Sequence, residues 1–339
     1  MTIAILKGEK VMRYKHFRNA NVDVSALAVG TWAIGGSGYG EVNEKDSIAA
    51  IQAMFDGGVN LVDTAPDYGR GYSETVVGKA LKGYDRSKIF VSTKCAASAL
   101  TLKAVRTGSR YCRDGRYEDI LYECEQSLRR LGTDYIDFYF VHWPDLDTPF
   151  SETMEAMNTL KRQGKIRFVG LSNFNREQIL ECEKVCRIEA IQPPYSMVVR
   201  GEEELMKWCA QRGISTFTYG SLGAGILTGT FRKVPEFGQG DPRNHFYPFF
   251  KEPRFSKVMK VLDVMDAIAA ETGKTLPQIA INWSTQKDYV STALCGVRNP
   301  AEAAENCATF DWTLTDDQIK RLDEAIAKYL DFDGADRNI

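Results

Sequence analysis

Short runs of β-branched and aromatic residues alternate along the chain with longer stretches whose apolar positions recur every three or four residues. The short runs predict strands at Leu27–Trp32, Asn60–Asp63, Lys88–Lys94, Tyr135–His142, Ile166–Ser172, Glu189–Gln192, Ile214–Tyr219 and Val290–Gly296. The longer stretches predict helices at Glu44–Asp56, Ser73–Leu81, Tyr117–Leu131, Ser151–Gln163, Glu177–Val185, Glu202–Arg212, Phe255–Thr272 and Leu276–Gln286. Gly58, Gly132, Gly164 and Gly213 each follow a helical stretch, where a left-handed C-cap favours a residue without Cβ. Asn175 with Gln178, Thr275 with Gln278 and Thr315 with Gln318 have the spacing of capping boxes.

Eight strands separated by helices imply a parallel sheet, either closed into a (β/α)8 TIM barrel or left open and doubly wound. An open dinucleotide-binding sheet calls for GxGxxG after its first strand. Here the chain reads Ile34-Gly35-Gly36-Ser37-Gly38-Tyr39-Gly40, and Glu41 stands where the third glycine belongs. The expectation is therefore an α/β chain of the (β/α)8 barrel type with extra C-terminal helices. It forms one domain over residues 1–339, of which 1–12 are an N-terminal extension too short to be a sizeable module. Two connections, Cys95–Arg116 and Gly220–Arg254, far exceed the usual link of about 4–6 residues. Both follow strands, so in a barrel both are long active-site loops.

Composition narrows the function. The formal charge is −2, which gives no global attraction to nucleic acid or an anionic membrane. Runs such as Thr2–Leu6 are too short for a signal-peptide core or a membrane span, so a cytoplasmic protein is expected. Eight cysteines occur without a CxxC pair, which fits free thiols in a reducing compartment. Three histidines argue against a multi-histidine metal site, and the absence of GxxxxGK[ST] argues against a P-loop.

Chemistry gathers where strands end. One run closes on Asp63, another on Lys94, a third on His142, and Tyr68 lies in the loop after the first of these. Barrel enzymes carry their catalytic groups at those ends. An ammonium beside a phenol is expected to lower its pKa from about 10. Asp63 would hold that ammonium, and His142 would hydrogen-bond the substrate oxygen. Such a set suits proton transfer to a carbonyl oxygen as a hydride reaches its carbon, or the reverse. Cys95, next to Lys94, points to the opposite face of its strand.

These residues fall in ordered motifs: Asp63-Thr64-Ala65-Pro66-Asp67-Tyr68-Gly69 with Ser73-Glu74, Ser92-Thr93-Lys94, Asp134–Asp137 leading to His142-Trp143-Pro144, and Gly164–Arg167 leading to Gly170-Leu171-Ser172-Asn173-Phe174. Together they resemble the aldo-keto reductases over nearly the whole chain. The segments Gly240–His245 and Pro253-Arg254-Phe255 are most similar to the bacterial inositol-catabolism-associated branch. The resemblance implies a nicotinamide cofactor and a catalytic tetrad of Tyr68, Asp63, Lys94 and His142. It places Ser172, Asn173 and Gln192 on the nicotinamide carboxamide and Tyr219 under the ring, although core packing explains Tyr219 equally well. It likens Gly220-Ser221-Leu222-Gly223-Ala224-Gly225 to a pyrophosphate loop, where the glycines serve either close backbone approach or turn geometry. It likens Gly296, Arg298, Glu302, Glu305 and Asn306 to an adenosine site.

Arg298 suits the 2′-phosphate of NADP(H), the favoured cofactor, provided that Glu302 turns to solvent. An anionic Glu302 beside that phosphate keeps NAD(H) possible. Trp32, at a strand end, is assigned to both cofactor and substrate, and with Tyr39 and Trp143 it forms an expected aromatic wall. Lys103, Arg106, Arg110, Arg113 and Arg116 make the first long loop cationic. They form either a solvated face or, through Arg110 and Arg113, a site for an anionic carbonyl or sugar substrate. The expected activity is NAD(P)-dependent interconversion of carbonyls and alcohols on sugars, polyols or small aldehydes. The alternative is a nicotinamide-sensing binding protein on the same barrel, as in potassium-channel β subunits.

Overall fold

A computed structural model describes residues 12–36 and 42–332. Tyr39 lies outside the described residues. Strands β1 (Tyr14–Phe17) and β2 (Val22–Ser25) form an N-terminal hairpin. Next come β3 (Leu27–Gly30), β4 (Leu61–Asp63) and β5 (Phe90–Cys95), then a two-residue-strand hairpin of β6 (Ala97–Ser98) and β7 (Cys112–Arg113). The chain continues through β8 (Ile136–Val141), β9 (Ile166–Ser172), β10 (Ala190–Gln192), β11 (Ser215–Thr218) and β12 (Thr292–Gly296). The eight strands outside the two hairpins close a parallel barrel, sealed where Leu294 pairs with Ala28.

The period-2 alternation of a strand decides what faces the barrel axis. In β8, Phe138 and Phe140 point inward while Tyr139 and Val141 pack against the outer helices. Phe217 meets the first two at ring distances of 4.9 and 5.3 Å. Phe17 of the hairpin lies 5.5 Å from Phe217 and plugs the end of the barrel opposite the strand C-termini. Each fully buried aromatic contributes about 1.5–3 kcal/mol of apolar transfer. Gly170 is needed here, because a Cβ would sit 2.3 Å from the Phe140 ring.

The expected helices are all present to within about two residues, and the three capping boxes form. Gly58, Gly132, Gly164 and Gly213 adopt positive φ. Trp32, His142 and Tyr219 lie just past the strands expected to contain them, because the ladder stops before each. The N-terminal hairpin and the helices Pro300–Cys307 and Asp316–Tyr329 complete the fold. Of these, only the Thr315 cap and the general expectation of C-terminal helices anticipated anything. The eight cysteines stand as thiols.

Candidate active site

Strand alternation puts Lys94 inside the barrel and Cys95 outside, where burial pushes the Cys95 thiol well up. The Lys94 ammonium donates to Asp63 Oδ2 at 2.7 Å and to the Thr64 carbonyl at 2.8 Å, and lies 3.2 Å from the Tyr68 hydroxyl. Asp63 and Lys94 are buried; Tyr68 and His142 are partly exposed. The Tyr68 and His142 rings stand edge-on, with centroids 6.3 Å apart. The four residues expected to act together are therefore brought together.

Several supports were not foreseen. Ser92 Oγ and Gln192 Nε2 donate to the other Asp63 oxygen at 2.7 and 2.9 Å. Beyond Lys94, Glu123 accepts from the Ala96 N–H at 2.7 Å and from Ser98 Oγ at 3.3 Å. This fixes a residue whose φ is +67°. The Tyr68 loop rests on a backbone contact: a Cβ on Gly35 would lie 2.7 Å from the Tyr68 carbonyl carbon, and one on Gly69 2.5 Å from the Gly35 oxygen. The Asp63-Thr64 and Ser92-Thr93-Lys94 motifs held part of this signal. Glu123 lies in no motif and showed only as one polar position on an amphipathic helix.

The electrostatics overturn one expectation. Burial, with the Asp63 carboxylate second, holds the Tyr68 phenol well above its usual range rather than below it. The ammonium at 3.2 Å does not outweigh these effects. Burial also lowers the Lys94 pKa, with Asp63 opposing that shift. His142 is held well below the normal imidazole value by burial and then by the Lys94 charge, so its ring is neutral. Its Nδ1 is shut away from solvent and has no hydrogen-bond partner among the described residues.

Beside these groups lies a fixed amide. Asn173, in the left-handed conformation at φ +63°, donates to the His142 carbonyl at 2.9 Å and is 3.1 Å from Ser172 Oγ. The Tyr219 hydroxyl donates to Asn173 Oδ1 at 3.0 Å, which fixes its half-buried ring. Ser172 Oγ donates to the Gln192 carbonyl at 2.9 Å.

The Aldo/keto reductase family model matches residues 26–327. The chain belongs to the aldo-keto reductase family. It is 38% identical over 314 residues to the aldo-keto reductase YhdN of Bacillus subtilis, covering 92% of each chain. It is 34% identical over 310 residues to the NADH-specific methylglyoxal reductase of Escherichia coli, covering 87% of this chain and 93% of that one. Among solved structures, the glycerol dehydrogenase AKR11B4 of Gluconobacter oxydans superposes with a TM-score of 0.83 at 32% identity, over 97% of this chain and 98% of that one. The protein is an oxidoreductase of this family.

In this aldo-keto reductase the Gly220–Gly225 loop uses its glycines for turn geometry. Gly220, Gly223 and Gly225 have φ of +72°, +56° and +96°, and the N–H groups of Gly223 and Gly225 donate to the carbonyls of Gly220 and Leu222. Those two N–H groups are thus turned inward rather than toward a phosphate. Ser221 is buried and Leu222 partly so.

At the far end, Glu302 does not turn to solvent. It accepts from the Arg298 guanidinium at 2.7 Å and from the Arg298 N–H at 2.8 Å. The N-cap bond from the Glu302 N–H to Asn299 Oδ1 holds that turn. Asn306 Nδ2 lies 3.4 Å from the Gly296 carbonyl. Glu305 presents its carbonyl to Gln278 at 3.2 Å.

A cleft of about 410 Å³ opens beside Asn173, Gln192 and Tyr219, and Arg113 and Trp143 line it. Trp32 is 38% exposed just beyond β3 and lines no part of this cleft. Arg110, expected at the substrate, is exposed on the outer loop and also lines no part of it.

Proposed function

We propose that residues 1–339 form one cytoplasmic aldo-keto reductase domain that interconverts a carbonyl and an alcohol on a sugar, a polyol or a small aldehyde. The observation that carries this reading is the chain of contacts from Asp63 through the Lys94 ammonium to the Tyr68 hydroxyl. The Ser172–Asn173 amide cradle, tied to the half-buried Tyr219 ring, fits a nicotinamide carboxamide. A dinucleotide would extend from there past Gly220–Gly225 toward Gly296, Arg298, Glu302, Glu305 and Asn306.

When bound, the nicotinamide supplies or accepts the hydride. Tyr68, protonated at neutral pH, gives its proton to the carbonyl oxygen as the carbon–oxygen π bond breaks. Lys94 stabilises the phenolate left behind, and Asp63 keeps Lys94 charged and aimed. Neutral His142 orients the carbonyl oxygen without competing as an acid. In oxidation the same groups run in reverse.

The Gly240–His245 and Pro253–Phe255 segments support a place near the inositol-catabolism-associated branch. The complete tetrad favours turnover over a purely sensing role. Fluorescence titration with NADPH and NADH, followed by a carbonyl and sugar panel read by reduced-nicotinamide absorbance, tests the reading. Reduction of at least one aldehyde supports it, and cofactor binding without turnover on any carbonyl favours the sensing alternative.

A further inference from the structure

Of the five cations in the first long loop, only Arg113 faces the site. Arg116 is held by Asp114 in a two-pronged pair at 2.7 and 2.6 Å. Arg106 lies 3.4 Å from Glu118, and Lys103 acts on Asp145. Arg113 is half-buried, with its guanidinium 5.0 Å from the centre of the Trp143 ring. Among the described residues no carboxylate comes within 4.0 Å of it.

The backbone beneath Arg113 is fixed. It pairs with Ala97, three residues beyond Lys94, and its neighbour Asp114 donates its N–H to the Ala96 carbonyl at 3.0 Å. Trp143 directly follows His142, whose N–H donates to the Cys95 carbonyl at 2.9 Å. Arg113 also acts on the Tyr111 phenol, which feels Asp67, the residue before Tyr68. The Asp67 charge is itself opposed by Arg70.

A guanidinium with no carboxylate partner, stacked on an indole face at the mouth of a reaction site, is built for a planar or tetrahedral anion. We propose that Arg113 selects small carbonyl substrates bearing a carboxylate or phosphate and binds that anion as the carbonyl reaches Tyr68. This rests on the oxidoreductase reading above and adds the substrate class.

The test uses matched pairs: succinic semialdehyde against its methyl ester, and glyceraldehyde 3-phosphate against glyceraldehyde, each with NADPH and with NADH. The wild-type protein is expected to favour the anion of at least one pair by about tenfold or more in kcat/KM. That ratio should fall at least tenfold in Arg113→Gln, chiefly through KM, and be partly restored in Arg113→Lys. The two pairs separate carboxylate from phosphate. A wild-type protein that reduces the neutral members equally well or better overturns the anion site and leaves the oxidoreductase reading standing. A preference that survives Arg113→Gln does the same. A protein that reduces no carbonyl overturns both.

Discussion

The ammonium of Lys94 sits 2.7 Å from Asp63 Oδ2, with both side chains all but sealed from solvent. A buried carboxylate stripped of its cation costs about 3–5 kcal/mol. Lys94→Met is therefore expected to lower stability by about that amount and to lower kcat by about 100-fold or more. The double variant Lys94→Met/Asp63→Asn should regain much of the stability and none of the turnover. Urea denaturation alongside steady-state rates checks this, and a fully stable Lys94→Met protein contradicts the pairing.

The pH profile follows from two directions. Burial and the Lys94 charge push the His142 pKa well down, and burial with Asp63 pushes Tyr68 well up. The imidazole is thus already neutral, and the phenol still protonated, on both sides of pH 6.5. The kcat/KM for reduction of a neutral carbonyl should pass through pH 6.5 without an inflection. An inflection there that disappears in His142→Gln means that the imidazole titrates at its ordinary value.

Gly35 is where the loop before the first barrel helix touches the Tyr68 loop. An alanine methyl would lie 2.7 Å from the Tyr68 carbonyl carbon, with backbone on both sides of the contact. Overpacking of this kind costs about 1–3 kcal/mol. Gly35→Ala should lose more in kcat than in NADPH affinity, because the displaced group is the proposed proton donor. Equal losses in both would show that the contact serves folding alone.

Glu302 occupies the Arg298 guanidinium, the group proposed to meet a 2′-phosphate. Exposed pairs of this kind contribute up to about 1 kcal/mol. Glu302→Gln should raise the NADPH-to-NADH affinity ratio by about fivefold, measured by fluorescence titration. An unchanged ratio means that Arg298 plays no part in cofactor choice.

Much of this architecture was legible because strand ends are local features. The alternation that put Lys94 inside and Cys95 outside is readable from neighbouring letters, and so is the succession of Asp63, Lys94 and His142 at strand ends. The direction of the Tyr68 shift was not legible, since it depends on how far burial and a carboxylate from another turn outweigh one ammonium. Gln192 on Asp63 and Glu123 on Ala96 join positions distant in sequence, and a lone amide or carboxylate carries no signal of its partner. The four-residue strands of the N-terminal hairpin are too short for a period to stand out. Arg298 and Glu302 had the four-residue spacing of a helical ion pair. What settles their contact is the Asn299 cap, a detail of backbone geometry.

The central claim is that the Tyr68 hydroxyl delivers the proton. The most direct measurement is single-turnover decay of bound NADPH absorbance on mixing with an aldehyde, in wild type and Tyr68→Phe, with NADPH affinity measured in parallel. The expected result is a rate slowed by about 100- to 10,000-fold with affinity changed by no more than about twofold. A Tyr68→Phe protein that consumes NADPH at the wild-type rate contradicts the assignment.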